Sequence, residues 1–305
     1  MRSALGVDIG ASGARAGRVG SSGLLGAMRR CRLGPALPRE EVVRRIRALA
    51  VGVGGGGEVA AGVSFPAFLD GAGRVRHCVN LPGLEGADLR AELAPLLGHL
   101  PVLPIPDVSA AALAEARLGA GRGVRRLLCV VLGSGVNAGL TEAGRVVEVT
   151  FGCLGDAGHV IVAPGGRCPC GGVGHLEAIC SGIGLAGAGR RSGFRDARAL
   201  GRALARGDAA ARRLVRAAGR ALGRAVATWA CMLAPDAVVL TGGLAALLGD
   251  ELLGAAGREL ARVGPPHLTA GLQLLRGQLG GSAALIGAGL AALDHVRGRN
   301  GRRRG

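Results

Sequence analysis

Residues 127–140 read LLCVVLGSGVNAGL, an apolar run that passes through a glycine-rich turn into a second run of apolar and small residues. A short apolar run bounded by glycines predicts a buried strand, and the turn after it predicts a hairpin. The N-terminus repeats the pattern, because residues 4–9 (ALGVDI) lead through Gly10–Gly13 into a return strand at 14–19. Two such hairpins predict an α/β fold of two related halves that face a cleft. The backbone amides of each turn can hold a phosphate, while a glycine hairpin that binds nothing is the alternative for both.

Two aspartates stand at the ends of predicted strands. Asp8 closes the first strand, where it is placed to hold Mg²⁺ through water, and a capping Asp in a β-turn is the alternative. Asp107 follows a short strand at 102–105 and precedes an alanine-rich helix at 109–118. Strand-to-helix junctions are where α/β folds place catalytic groups, and an ordinary N-cap Asp is the alternative there.

Residues 155–177, GDAGHVIVAPGGRCPCGGVGHLE, contain a candidate metal site. Two imidazoles and two thiols form a complete tetrahedral set for Zn²⁺. The four ligands are His159, Cys168, Cys170 and His175. Because four protein ligands leave no open position, this zinc would be structural and would fix the loop that carries Asp156 and Glu177. A reduced, glycine-rich surface loop with two ordinary cysteines is the alternative.

The composition predicts a globular chain with room for two domains, since 49% of its 305 residues are hydrophobic and 19% are charged. All 38 basic residues are arginine and the net charge is +17, but the arginines are spread along the chain except in a solvated tail at 298–305. With only 2% aromatic residues, recognition of nucleic acid by base stacking is not expected. An acid at position 8 interrupts any signal peptide, and no apolar run is long enough to cross a bilayer. We therefore expect no membrane or specific nucleic-acid partner, and a cytoplasmic location.

Further along, residues 237–241 (AVVLT) predict a strand that leads through Gly242 and Gly243 into a helix. A flat ligand such as adenosine can lie against the backbone at such a glycine pair.

Another helix is predicted at about 176–190. Apolar surroundings also predict that three cysteines are buried as small hydrophobic residues. These are Cys129, Cys180 and Cys231.

The order of these motifs resembles the ROK family of sugar kinases over nearly the whole chain. GVDIGASGARAG and VLGSGVNAGL resemble its two phosphate loops, and PDVSAAALAEARLGAGRG resembles the segment with its catalytic aspartate. GVSFPAFLD with NLPGL resembles its sugar side, GDAGH with CPCGGVGHLE its zinc and sugar signature, and VVLTGG its adenosine loop. The resemblance implies an actin-like (ribonuclease H-like) ATPase fold of two domains around a nucleotide and sugar cleft. The smaller domain would comprise residues 1–108 and the C-terminal helix 283–297, and the larger one residues 109–282.

The resemblance further implies ATP-dependent phosphorylation of a hexose-type sugar, as in a glucokinase, with Asp107 accepting the proton of the attacking hydroxyl. ATP, Mg²⁺ and a structural Zn²⁺ would be the cofactors, and a homodimer or homotetramer the assembly. The nucleotide and its Mg²⁺ would be held by Asp8, Gly10, Ser12, Gly133, Ser134, Gly135, Asn137, Gly242 and Gly243. The sugar hydroxyls would be held by Asn80, Asp107, Asp156, His159 and Glu177.

Several positions depart from the family pattern. Pro106 stands where the family has an asparagine that contacts sugar hydroxyls, Ser109 where it has a second asparagine, and Gly13 where the first phosphate loop has lysine. Asp156 replaces a glutamate and His175 replaces a third zinc cysteine. A catalytically impaired sugar-binding regulatory protein, or a kinase with an unusual acceptor, is therefore an alternative. The family's regulators carry their DNA-binding helices before the first phosphate loop. Only seven residues precede Asp8 in this sequence, so a DNA-binding repressor is not expected.

Overall fold

The computed structural model describes residues 2–10, 13–34, 36–70, 72–78, 81–148 and 154–302. The chain forms two compact units. Unit 1 comprises Met1–Ala114, Val146–Leu154 and Ser282–Gly305, and unit 2 comprises Glu115–Arg145 and Gly155–Gly281. The domain limits predicted above stay predictions of the functional division.

Within the described residues, both units are built from strands and helices. The strands are β1 (Ser3–Gly10), β2 (Gly13–Gly20), β3 (Gly23–Arg32), β4 (Glu58–Phe65), β5 (Phe68–Leu69), β6 (Val75–His77), β7 (Val102–Pro106), β8 (Arg126–Leu132), β9 (Val136–Glu142), β10 (Arg145–Val147), β11 (Ala237–Thr241) and β12 (Gln273–Arg276). The helices are α1 (Arg39–Val53), α2 (Leu89–Leu93), α3 (Asp107–Leu118), α4 (Leu176–Cys180), α5 (Gly182–Arg190), α6 (Ala197–Ala205), α7 (Ala209–Leu233), α8 (Gly243–Val263), α9 (Pro266–Thr269) and α10 (Ala283–Arg302). Short 3₁₀ turns lie at Pro82–Leu84, Pro95–Leu97, Ala157–His159 and Gly280–Ser282.

Unit 1 contains a five-stranded sheet in the order β3-β2-β1-β4-β7. β1, β2 and β3 form an antiparallel meander, whereas β4 and β7 run parallel to β1. The apolar side chains of β1 and β4, among them Ile9 and Phe65, are buried in the unit's main core. The face of α1 that carries Val42, Ile46 and Leu49 at helical spacing packs into the same core.

Helix α10 packs on the unit 1 sheet, with glycines at the points of closest approach. A Cβ atom on Gly62 of β4 would collide with the carbonyl oxygen of Ala288. A Cβ atom on Gly287 of α10 would likewise collide with the carbonyl oxygen of Ala110 on α3. Because backbone meets backbone at these points, residues without side chains are required there.

Unit 2 contains a second five-stranded sheet, in the order β10-β9-β8-β11-β12. β9 is antiparallel to β8, while β11 is parallel to β8 and β12 is parallel to β11. This order repeats that of unit 1, and it confirms the prediction of two related halves. Long helices α7 and α8 pack together closely, since Gly219 of α7 lies against Ala255 of α8.

The structure corrects three expectations of local structure. The helix predicted at 176–190 is two helices, because Ser181 leaves the helical conformation and its hydroxyl caps α5 by accepting from the Gly184 amide. Cys231 is exposed although Cys129 and Cys180 are buried, because it lies on the solvent side of α7 near its end. Helix α10 continues to Arg302, beyond the position 297 at which we ended it. No helix in the described part of the chain combines the length and hydropathy that crossing a bilayer requires.

Candidate functional site

The carboxyl ends of three parallel strands come together in unit 1. Asp8 on β1 is in register with Ser64 on β4, and Ser64 is in register with Ile105 on β7. Asp107 follows two residues after Ile105, as the first residue of α3. Ligands of open α/β sheets bind at this edge, beyond the carboxyl ends of the strands. The two predicted aspartates therefore lie at one edge of one sheet.

Asp8 is a buried carboxylate with a charged partner. Its side chain is only 6% exposed. Its Oδ2 atom accepts a hydrogen bond from Nη2 of Arg15 at 2.5 Å, and its Oδ1 atom accepts one from the Ser64 hydroxyl at 2.9 Å. Both carboxylate oxygens therefore contact side chains of neighbouring strands. Residues 11 and 12 lie outside the described residues, so a turn-capping Asp stays the alternative.

Asp107 has the proton affinity of a group that titrates near neutral pH. Burial, and then the negative charge of Asp8, raise the pKa of Asp107 from 3.8 to about 7. Its Oδ1 atom accepts a hydrogen bond from the Val108 amide at 2.8 Å, and this contact favours the charged form but does not offset the burial. Helix α3 begins at Asp107 rather than at 109, so the aspartate is the first helical residue and not an N-cap.

Pro106, which stands where the family has asparagine, fits its position in the sheet. Among the strands of the described residues, β7 is the outermost of its sheet and is bonded to β4 alone. Proline has no backbone N–H, and an edge strand tolerates this loss because one side of the strand has no partner. The substitution therefore preserves the strand end that carries Asp107, while it removes an amide side chain beside it.

The second predicted phosphate loop is the turn between β8 and β9 in unit 2. The Gly133 amide donates to the Gly135 carbonyl at 2.9 Å, which closes the turn. The amides of Gly182 and Ile183, at the start of α5, donate to the carbonyls of Gly133 and Ser134 at 2.8 and 3.2 Å. The first turn of a helix has no intrahelical partners for its amides, so these bonds fix the loop against α5.

Glu177 and Asn137 connect this hairpin to the predicted metal stretch. Oε2 of Glu177 accepts a hydrogen bond from the Val136 amide at 3.0 Å. A Cβ atom on Gly135 would lie 2.6 Å from the same oxygen, so a larger residue there would require the Glu177 carboxylate to shift. Oδ1 of Asn137 accepts a hydrogen bond from the Ala157 amide at 3.0 Å. The structure therefore brings the second phosphate loop and the segment at 155–159 together within unit 2.

The four predicted zinc ligands form one cluster in unit 2. One donor atom from each of them lies within 4.8 Å of every other. The members are His159, Cys168, Cys170 and His175. Nδ1 of His159 is 3.7 Å from Sγ of Cys168, and Nδ1 of His175 is 3.2 Å from Sγ of Cys170. Tetrahedral zinc with Zn–S and Zn–N bonds of about 2.3 and 2.0 Å would separate its ligand atoms by about 3.3–3.8 Å. The donor set therefore fits zinc, and the two printed separations lie close to this range.

A carboxylate orients one of these imidazoles. Nε2 of His159, the ring nitrogen that does not face Cys168, lies 3.2 Å from Oδ2 of Asp156. Metal-bound histidines usually hold a carboxylate or carbonyl through their second nitrogen, which fixes the tautomer and the ring orientation. The loop closes through Gly174, which has φ +76 and whose Cβ would collide with the Ala163 carbonyl. Asp156 therefore supports the ligand set in this structure.

The predicted adenosine loop follows β11 in unit 2. Gly242 has φ +97, a conformation that favours glycine, and a Cβ atom there would collide with the Leu132 carbonyl. α8 begins at the next residue, Gly243. The loop between β11 and α8 is therefore a tight glycine turn, as predicted.

A buried glutamate that the motifs did not reveal supports this loop. Glu115 is fully buried and accepts four hydrogen bonds, each with a donor 3.0–3.2 Å away. The donors are the Thr241 hydroxyl and the amides of Ala120, Gln278 and Leu279. Because Thr241 precedes Gly242, the carboxylate ties the end of β11 to the segment after β12.

The structure thus places most predicted site residues at glycine turns and strand ends of their own unit. Ser12 and Asn80 lie outside the described residues. Three polar residues with clear partners were not predicted, namely Arg15, Ser64 and Glu115. The cross-strand position of Arg15 opposite Asp8 was the one signal that the sequence offered, because the pairing of Gly10 with Gly13 sets that register.

A model of the ROK family matches residues 4–295 of the chain. The glucokinase of Halalkalibacterium halodurans is 30% identical over 250 residues, which are 76% of this chain and 75% of that protein. The kanosamine kinase of Amycolatopsis mediterranei is 34% identical over 243 residues, 75% of this chain and 78% of that protein. A solved ROK family glucokinase from Streptomyces griseus, in complex with glucose and AMPPNP, is 28% identical with a TM-score of 0.82. That structural match covers 96% of this chain and 99% of the other.

Proposed function

The chain belongs to the ROK family and is an ATP-dependent sugar kinase with the actin-like fold, and from this premise we propose that Asp107 is its general base. The observation that carries the proposal is the near-neutral pKa of Asp107 at the strand edge that also holds Asp8. A base works best when its pKa lies near the operating pH. Asp107 would accept the proton of the sugar hydroxyl as that oxygen attacks the terminal phosphorus of ATP, and ADP would leave.

The nucleotide would be held by the glycine turns of both units. In unit 1, Asp8 would hold Mg²⁺ through water, and Gly10 and Ser12 would approach the phosphates. In unit 2 the β8–β9 turn would contribute the residues Gly133, Ser134, Gly135 and Asn137, while Gly242 and Gly243 would lie against adenosine. Mg²⁺, when bound, neutralises charge on the transferring phosphate. The turns supply backbone amides in a fixed geometry, which is the positioning that phosphoryl transfer requires.

The sugar hydroxyls would be held by Asn80, Asp156, His159 and Glu177 together with Asp107. Support comes from the links within unit 2, where Glu177 touches the phosphate loop and Asp156 touches His159. Glu177, Asp156 and His159 therefore have contacts that fix their orientation before a sugar binds. Preorganised polar groups of this kind bind hydroxyls without paying the full entropy of ordering.

Zinc would be structural in this enzyme. The cluster of His159, Cys168, Cys170 and His175 supplies four ligands, which leaves no position for a substrate. It would hold the segment 155–177 in shape and keep His159 at the sugar side. Its thiolates require reducing conditions, which supports a cytoplasmic location. A homodimer or homotetramer remains our prediction for the assembly.

The acceptor is a hexose-type sugar, and we propose glucose or an amino sugar of the same shape. Pro106 favours an acceptor other than plain glucose, because it removes an amide that would pair with a sugar hydroxyl, and a missing partner for a buried hydroxyl costs discrimination. The similarity to a kanosamine kinase makes an amino-substituted hexose the second candidate.

The function is tested by measuring ADP release from Mg·ATP with glucose, mannose, kanosamine, N-acetylglucosamine and N-acetylmannosamine. We expect turnover with one of these sugars and a loss of about 10²–10⁴-fold in kcat for Asp107→Asn. Asp250→Asn, which alters an exposed aspartate with a side chain 90% accessible, serves as the control. If Asp107→Asn kept kcat within a few-fold of the parent, the assignment of the base would be wrong.

A further inference from the structure

Arg15 is the cation nearest to the acidic strand edge of unit 1 along the chain. Residues 8–14 read DIGASGA and contain no basic residue. Arg15 follows directly and lies opposite Asp8 in the β1–β2 register. Directly opposed residues of an antiparallel pair project on the same face of the sheet. The strand pairing therefore carries the guanidinium to the Asp8 carboxylate.

The ion pair joins a buried carboxylate, that of Asp8, to the partly exposed guanidinium of Arg15. The Asp8 side chain is 6% exposed and the Arg15 side chain 38% exposed. A buried carboxylate without a partner is strongly unfavourable, and Arg15 supplies the compensating charge at 2.5 Å. The Ser64 hydroxyl holds the other oxygen. Asp8 is thereby fixed from two sides, by β2 and by β4.

The carboxylate still has acceptor capacity in this arrangement. A carboxylate offers about four lone-pair sites, and among the described residues Arg15 and Ser64 use one on each oxygen. A water molecule in the shell of a magnesium ion can use another. The two contacts therefore orient the Asp8 carboxylate and leave it able to accept a further hydrogen bond.

We propose that Arg15 is a positioning residue for phosphoryl transfer, which holds Asp8 where it can receive the hydrated magnesium of the nucleotide. Position 13 of this chain is glycine, so Arg15 is the first basic residue after Asp8. Arg15 acts through Asp8 and does not itself bind the phosphates. This role deepens the kinase function proposed above and depends on it.

The chain offers a matched control on the same strand. Arg18 of β2 pairs with Glu58, which is also almost fully buried, at 2.8 Å. The two arginines have nearly equal exposure, 38% and 39%. Arg18→Gln therefore removes another ion pair between β2 and a buried carboxylate without touching Asp8, and unfolding of both variants shows whether their losses of stability differ.

The test measures nucleotide binding by titration calorimetry, which needs no sugar and no turnover. With AMPPNP and excess Mg²⁺, we expect Arg15→Gln to weaken binding about tenfold or more, a loss of one strong charged contact. Arg18→Gln should bind like the parent, and Arg15→Lys should recover part of the loss. With ADP in EDTA, where no magnesium can reach Asp8, Arg15→Gln should bind within twofold of the parent.

The outcomes separate this role from the function on which it depends. If the parent failed to bind Mg·AMPPNP, the kinase function would fail and the role of Arg15 with it. If the parent bound and Arg15→Gln matched Arg18→Gln, only the role of Arg15 would be refuted. An equal loss in EDTA would show that Arg15 contacts the phosphates directly, which also contradicts a positioning role. In turnover, the expected change lies in kcat and in the KM for Mg·ATP, with the KM for the sugar unchanged.

Discussion

Asp107→Asn should stabilise the protein while it abolishes turnover, and the gain should depend on pH. Folding raises the pKa of Asp107 from 3.8 to about 7. The folded state therefore prefers the protonated carboxyl. The stability contributed by this proton is fully present below about pH 4 and is lost as the pH rises through about 7. Asparagine cannot ionise, so the variant does not suffer this loss.

The size of the effect follows from the proton affinity. A pKa near 7 instead of 3.8 corresponds to about three powers of ten, and at 1.36 kcal/mol for each this gives an upper limit of roughly 4 kcal/mol. The side chain is partly exposed, and solvent screening reduces the figure. Between pH 5 and pH 8 we expect the free energy of unfolding of Asp107→Asn to rise relative to the parent by roughly 1–3 kcal/mol.

Guanidinium unfolding of parent and variant at pH 5 and pH 8 measures this difference. Asp250→Asn, at an exposed position, should show no such change between the two pH values. If the difference between Asp107→Asn and the parent were the same at both pH values, Asp107 would not hold its proton to near neutrality. The argument for it as a base tuned by burial would then be refuted.

Three further predictions concern unit 2. His175→Ala should lower the zinc content, measured by atomic emission, from about one ion per chain to near zero. His175→Cys should retain the zinc, because thiolate is also a zinc ligand. Full zinc in the alanine variant would contradict the four-ligand site. Glu115→Gln should lower the free energy of unfolding by about 2 kcal/mol, because buried donors lose a charged acceptor, and an unchanged unfolding midpoint would contradict this. Gly242→Ala should lower the free energy of unfolding by about 1–3 kcal/mol, because Gly242 has a positive φ and a Cβ atom there would collide with Leu132. It should also raise the KM for ATP. If the free energy of unfolding and the KM were both unchanged, a tight adenosine loop would be excluded.

The predictions that succeeded depend on neighbours in the chain. A buried run followed by glycines predicts a hairpin wherever it stands, so both hairpins and the turn at Gly242 could be located from the sequence. The ligands from His159 to His175 lie within one short segment, and glycine-rich backbone is enough to bring them together. The predicted strands also placed Asp8 and Asp107 at strand ends, although the sequence did not reveal which side chains surround them.

Only the tertiary structure decided the contacts between residues that lie far apart in the chain. Ser64 bonds Asp8 across 56 positions and Thr241 bonds Glu115 across 126, and neither pairing leaves a local pattern. The basicity of Asp107 belongs to this class too, because it arises from burial and from the charge of Asp8. The sequence alone determined where candidate ligands and glycine turns lie, and so predicted which residues perform the chemistry, since ligand type and turn geometry are local properties. The fold decided their protonation and orientation, since electrostatic fields and burial depend on everything that packs around a group.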